Sequence, residues 1–291
     1  MPTHSISETS AFSDADVELP DNGELDGIES IEPAFTAAVS RGRFARDLLL
    51  GHLSWSGDFA VSGTSTVFTV SLGGINAVCL STAGSPAAYY PHSSSSGSAS
   101  LANVEGAPAA LSANTWYHVY AYRSGSSLAY EICAGPGGAP NASRVFKSGD
   151  FTRRYLASFP TLSGGTPAKV TGSRGCYRYR DRAVALHLSQ STSDLATFTS
   201  ALSLAALVPP HARVAIVRLQ ILRSGSLGDA SVSIRVNGDT NPAATFSTPQ
   251  LPLLAVDERF IEMDVGASRE VQVATNGAST LVNVDVAGWR E

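Results

Sequence analysis

The chain has 291 residues, 43% of them apolar and 15% charged, which is long enough for one large core or two ordinary ones. A charged fraction well below the roughly 25% of an average soluble domain, with abundant Gly, Ser, Ala and Thr, argues against a helical enzyme and for a β-rich structural protein. The net charge of −5 is lopsided: residues 1–40 hold nine acidic side chains and no Lys or Arg, leaving a mildly basic body of 16 acidic against 20 basic residues.

Residues 1–32 are acidic, Ser-rich and poor in large apolar side chains, so burial cannot offset their chain entropy and a mostly disordered arm is predicted. Such an arm is either a solvated tail or a docking segment that orders on a basic partner. The stretch MPTHSISETS has neither a basic n-region nor an apolar h-region, so no Sec signal is expected, and no apolar run is long enough for a transmembrane helix. In AFTAAVSRGRFARDLLL (34–50), Phe35, Ala38, Val39, Phe44 and Leu48 follow helical spacing, with Gly42 weakening the middle. One short helix or a linker is expected there, and residues 1–50 together form an attachment segment.

From Trp55 the period becomes two. VFTVSLGGINAVCL (67–80) reads as two strands or one bulged strand around Gly73-Gly74. Residues 81–110, including SSSSGSAS, read as a surface loop. In SANTWYHVYAY (112–122), Trp116, His118, Tyr120 and Tyr122 share one face and Tyr117, Val119 and Ala121 the other. Both faces are apolar, so this strand is expected to be covered on both sides or to sit at a subunit contact. The turn RSGSS then leads to LAYEIC as a hairpin. After the Pro/Gly loop 134–140, further strand-like pieces end in CYRYRDR (176–182). There Arg178, Arg180 and Arg182 line one face against Tyr177, Tyr179 and Asp181, and the arginine face must meet solvent or an acidic partner.

From about residue 195, roughly seven short alternating strands follow in some 95 residues, the pattern of a β-sandwich. The predicted fold is therefore all-β: two β-sandwich (jelly-roll-like) domains, 51–194 and 195–291, after a mostly disordered acidic N-terminal arm with one short helix. The three cysteines, Cys79, Cys133 and Cys176, match neither a disulfide framework nor a CxxC metal site and read as small buried hydrophobes.

The six histidines show no metal-ligand spacing, no GxSxG nucleophile elbow occurs, and GPGGAP lacks the GK[ST] of a phosphate loop. A glycosidase pair drawn from Asp150, Asp181, Asp229, Asp239 and Asp257 is spatial rather than sequential, and these residues stand in turn contexts where Asp is expected anyway. No catalytic residue, cofactor or metal is expected, and the basic excess is too small for a nucleic-acid partner. Two candidate surfaces remain. Trp116, Tyr117, Tyr120 and Tyr122 form either a core or subunit interface or a ligand-stacking face; Arg178, Arg180 and Arg182 form a charged interface.

Residues 111–165 carry LSANTWYHVYAY followed by FTRRYLASF. This resembles the structural proteins of tailed bacteriophages, especially tail-fibre, tail-spike and head-fibre chains, in which a Leu, Ala-Asn, Trp/Tyr-Tyr-x-Val-Tyr strand precedes an Arg-Tyr-Leu-Gly-Ser-Phe strand. Asn114, Tyr117, Val119 and Tyr120 match the first element, and Arg154, Tyr155, Leu156, Ser158 and Phe159 the second, with Ala157 in place of Gly. The resemblance spans about 55 residues. It implies a non-enzymatic virion component, a fibre or decoration protein, with partners that are other copies (a homotrimer), other virion proteins through residues 1–50, and a host surface glycan as the alternative reading. It carries no catalytic residue.

Overall fold

The computed structural model describes residues 4–6, 17–19, 58–81, 89–125, 127–142, 144–173, 175–181, 188–190, 192, 194–223, 228–240, 242, 244–251, 256–277 and 280–291. The chain divides into two compact units, Met1–Ser54 and Trp55–Glu291. In the first, β1 (His4–Ile6) and β2 (Val17–Leu19) pair antiparallel. The helix expected over 34–50 lies outside the described residues.

The second unit is built from antiparallel strands: β3 (Asp58–Gly63), β4 (Phe68–Ser81), β5 (Tyr89–Ala99), β6 (Trp116–Ser124), β7 (Ser127–Ala134), β8 (Phe146–Lys147), β9 (Asp150–Pro160), β10 (Val170–Ser173), β11 (Cys176–Tyr179), β12 (Leu188–Gln190), β13 (Leu202–Ser203), β14 (Val214–Arg223), β15 (Gly228–Val236), β16 (Ala244–Leu251), β17 (Val256–Asp264), β18 (Glu270–Thr275) and β19 (Thr280–Arg290). Their order explains why the chain reads as two sandwiches. One nine-stranded sheet, β17-β14-β19-β11-β10-β3-β4-β5 with β12 also on β19, runs the length of the unit. The sheet β7-β6-β9-β8 packs on its β4–β5 end, and the sheet β13-β18-β15-β16 on its β14–β19 end.

The two predicted sandwiches are therefore present, and they share a sheet. The join is the β11–β19 ladder, Cys176↔Arg290, Tyr177↔Trp289 and Arg178↔Gly288. Residue 195 falls inside one compact unit rather than at a linker. Alternation drives both interiors: Phe59, Val61, Val70 and Leu72 face Tyr117, Val119 and Phe159 in the first, and Val217, Leu219 and Ile221 face Val232, Ile234, Val271 and Val273 in the second. All belong to one continuous buried cluster. Each such side chain contributes about 1.5–3 kcal/mol by leaving water.

One local expectation changes and one is resolved. The Ser-rich stretch 93–100, expected as loop, lies largely within β5, because β4 supplies its ladder from Val70↔Ala99 to Ser81↔Tyr89. Small side chains do not prevent pairing when backbone partners are fixed, and at Gly97 the absence of a Cβ leaves room for the Tyr130 ring. Of the two readings of 67–80, the bulged strand is the one that forms: a single 14-residue strand whose register shift falls between Ile75 and Val78, just past Gly73-Gly74. The RSGSS hairpin forms as predicted, with Ser124 opposite Ser127 and Gly125 at φ +61°.

Candidate functional site

The two elements that carry the sequence resemblance are adjacent strands. β6 and β9 pair through Tyr117↔Phe159, His118↔Ser158 and Val119↔Ala157, then shift register before Tyr120↔Tyr155. Asn114 enters β6 at φ +49°, the left-handed region that Asn tolerates better than most side chains. Ala157 is fully buried in mid-strand opposite Val119. Tyr117 turns into the sandwich, stacks on Phe159 at 5.6 Å and accepts a hydrogen bond from the Ser112 amide at 2.8 Å.

The opposite face of β6 is also covered. The Trp116 ring meets Trp289 edge-on at 5.4 Å and its Nε1 donates to the Ala205 carbonyl at 3.1 Å. Trp289 in turn stacks on Tyr177 at 5.2 Å, and Tyr179 donates to the Leu207 carbonyl. Tyr120 is enclosed and donates to the Gly138 carbonyl at 2.6 Å, whereas Tyr122 is half-buried beneath the Arg153 guanidinium, 4.1 Å from its ring centre. Of the four aromatic candidates, Tyr117 and Tyr120 thus lie inside the fold, and the rings of Trp116 and Tyr122 are occupied by partners within the chain.

Between these rings lies a buried polar seam that spacing in the sequence does not reveal. Ser158 Oγ sits 2.7 Å from His118 Nδ1 and 2.8 Å from the Tyr155 hydroxyl. Tyr155 donates to Glu291 Oε1 at 2.6 Å, with His211 Nε2 2.9 Å from that hydroxyl and 3.0 Å from the carboxylate, which also accepts from Trp289 Nε1. Burial, and secondarily the neighbouring His211, pulls the His118 imidazole down to about 3. Burial and then Glu291 push the Tyr155 hydroxyl well above its ordinary value. Ser158 and His118 have the contact of a nucleophile and its base, yet they are 0% and 1% exposed, and a base pulled that low holds protons poorly near neutrality. The arrangement is suited to fastening β6 and β9 to the 209–212 turn and to Glu291 just after β19.

A second cluster combines Glu105, Glu131, Cys133, Lys147 and Arg153. Lys147 bridges Glu105 at 3.1 Å and Glu131 at 3.0 Å, and Arg153 closes on Glu131 at 2.5 Å. Burial alone would raise the Glu131 carboxyl, but hydrogen bonds from Cys133, Arg153 and Lys147 outweigh it and hold it at about 2. Burial and Glu131 push the Cys133 thiol far up, so it stays protonated. The two glutamates and the thiol are close enough to meet one metal ion, but two cations already balance the two carboxylates.

The arginine ladder sits as its alternation implies. Arg178 and Arg180 are exposed, Tyr177 is buried and Tyr179 half-buried, while Arg182 lies outside the described residues. Three of the five aspartates weighed as a catalytic pair have local roles: Asp150 caps the Thr152 amide at 2.8 Å, Asp181 pairs with Lys169 and Asp257 with Arg259.

No protein-family model matches the chain, and no curated protein matches it. Among solved structures it is similar to PRD1 vertex protein P5, with a TM-score of 0.22 and 9% identity over 78% of this chain and 84% of that one. It is also similar to the isomalto-dextranase of Arthrobacter globiformis T6 complexed with panose, with a TM-score of 0.18 and 11% identity over 80% of this chain and 36% of that one. At these TM-scores neither likeness carries an assignment.

Proposed function

We propose that the chain is a non-enzymatic structural protein of a tailed-phage virion, a fibre or decoration component attached through residues 1–50 and presenting the β-sandwiches at the particle surface. The observation that carries this reading is the β6–β9 pair. The two segments that resemble phage structural chains are neighbouring strands of one sandwich wall, and their aromatic and polar side chains are spent on packing and internal hydrogen bonds. The charge distribution supports it: an acidic segment on a mildly basic body suits docking onto a basic neighbour in an assembly. The alternative, a carbohydrate-binding module using the β6 aromatics, needs rings free to stack on sugar faces, and the partners of Trp116 and Tyr122 work against it.

The test is peptide mass spectrometry of gradient-purified particles made with the full chain and with a chain lacking residues 1–50. The full chain is expected in the particles at fixed stoichiometry, and the shortened chain is expected to fold but to be missing from them. Recovery of the full chain only from the free lysate fraction overturns the reading.

A further inference from the structure

The enclosure of the β6 aromatics removes the surface on which copies of the chain were expected to meet, and the topology offers another. Although β4 is 14 residues long, β3 pairs only with Phe68–Gly73 of it. From Ile75 to Ser81, among the described residues, the ladder of β4 is with β5: Ile75↔Ser94, Val78↔His92, Cys79↔Pro91, Leu80↔Tyr90 and Ser81↔Tyr89. The hairpin thus continues past the sheet as a two-stranded ribbon of about 20 Å at the usual rise per residue. Among the described residues no strand pairs with the other edge of 74–81, and β5 is the last strand of its sheet.

A two-stranded ribbon is marginal in water, and an uncovered edge is a template for pairing unless charge or a bulge blocks it. Here GINAVCLS (74–81) and YYPHSSSSGSA (89–99) contain no Asp, Glu, Lys or Arg, in a chain with 45 charged residues. The interruptions are Pro91 and the shift between Ile75 and Val78, both of which fall in the β4–β5 ladder.

We propose that the 74–81 edge of β4 is a self-association surface, pairing antiparallel with the same edge of a second copy to give a four-stranded ribbon. An antiparallel ladder has two-fold symmetry, so an edge is its own complement: each outward N–H meets an outward C=O of the rotated copy. The absence of charge matters twice. Nothing in 74–81 repels its own copy, and nothing there attracts the acidic segment of residues 1–40 in its place. The contact does not depend on where the protein resides, so it stands or falls separately from the virion reading.

Light scattering on the full chain, with Ala77→Lys as the disrupting variant, tests it. The full chain is expected to be a dimer or another even oligomer, and the variant to have half that mass with an unchanged circular dichroism spectrum. Single cysteines placed in turn at 75–80 in a Cys79→Ser background cover the case in which the lysine unfolds the ribbon. Mild oxidation is expected to yield covalent dimers at one position or at alternating positions. A monomer or trimer, an even oligomer whose mass Ala77→Lys leaves intact, or a cysteine series with no cross-linked position each overturns the proposal.

Discussion

At His118 the sequence invites a chemical reading that its surroundings turn into a structural one. The imidazole is buried and neutral, so an unfolded chain, in which it titrates at its ordinary 6.5, binds one more proton than the folded chain between about 6.5 and about 3. Its contribution to stability is complete above pH 6.5 and is lost as pH falls through that window, at up to about 1.4 kcal/mol per pH unit. Denaturant unfolding of the protein and of His118→Gln, compared from pH 7 to pH 4, should show the native protein losing stability faster by that slope. Parallel curves would mean that His118 binds its proton equally well in the folded and the unfolded chain. Tyr155 gives a second measure of the seam: Tyr155→Phe keeps the ring but leaves Ser158, His211 and Glu291 short of one buried partner. A cost of about 1–3 kcal/mol is expected, read as a lowered denaturation midpoint with an unchanged slope.

Among the elements, β19 has the most demanding position, since it pairs with β14, β11 and β12 and so joins both sandwiches. Its close approach to β11 requires Gly288: a Cβ there would run into the Tyr177 carbonyl and the Arg178 Cα. Gly288→Ala is expected to cost about 1–3 kcal/mol, as crowding in a packed site does, and to loosen Trp289 from Tyr177, visible as a red shift and reduced anisotropy of tryptophan fluorescence. An emission spectrum identical to that of the native protein would show that β11 gives way freely. The period of two made most of these strands legible in the sequence, including β14, β15 and β17 to β19 and the outward Arg178 of β11. Two features were not legible for a physical reason. The Ser-rich β5 carries no side-chain alternation because its hydrogen bonds come from the backbone of β4. The polar seam joins residues 118, 155, 158, 211 and 291, whose meeting depends on long-range packing that leaves no local pattern.

For the whole molecule, the arrangement decides which pieces can stand alone. Residues 1–54 form a unit separate from Trp55–Glu291, so a chain of residues 55–291 is expected to melt cooperatively within a few degrees of the full protein. Cutting at 194, where composition suggests a boundary between sandwiches, should behave differently. A chain of residues 55–194 loses the β19 partner of β11, the Trp289 ring that covers Trp116 and Tyr177, and the Glu291 and His211 ends of the polar seam. It would present an open strand edge beside freshly exposed aromatic rings, the combination that drives sheet-to-sheet aggregation. The expected result is insoluble or dye-binding material from 55–194 under conditions in which 55–291 remains soluble with a sharp transition. A soluble 55–194 fragment with native-like amide exchange protection in β6 and β9 would instead show that the first sandwich carries its own stability, with the shared sheet a late addition to it.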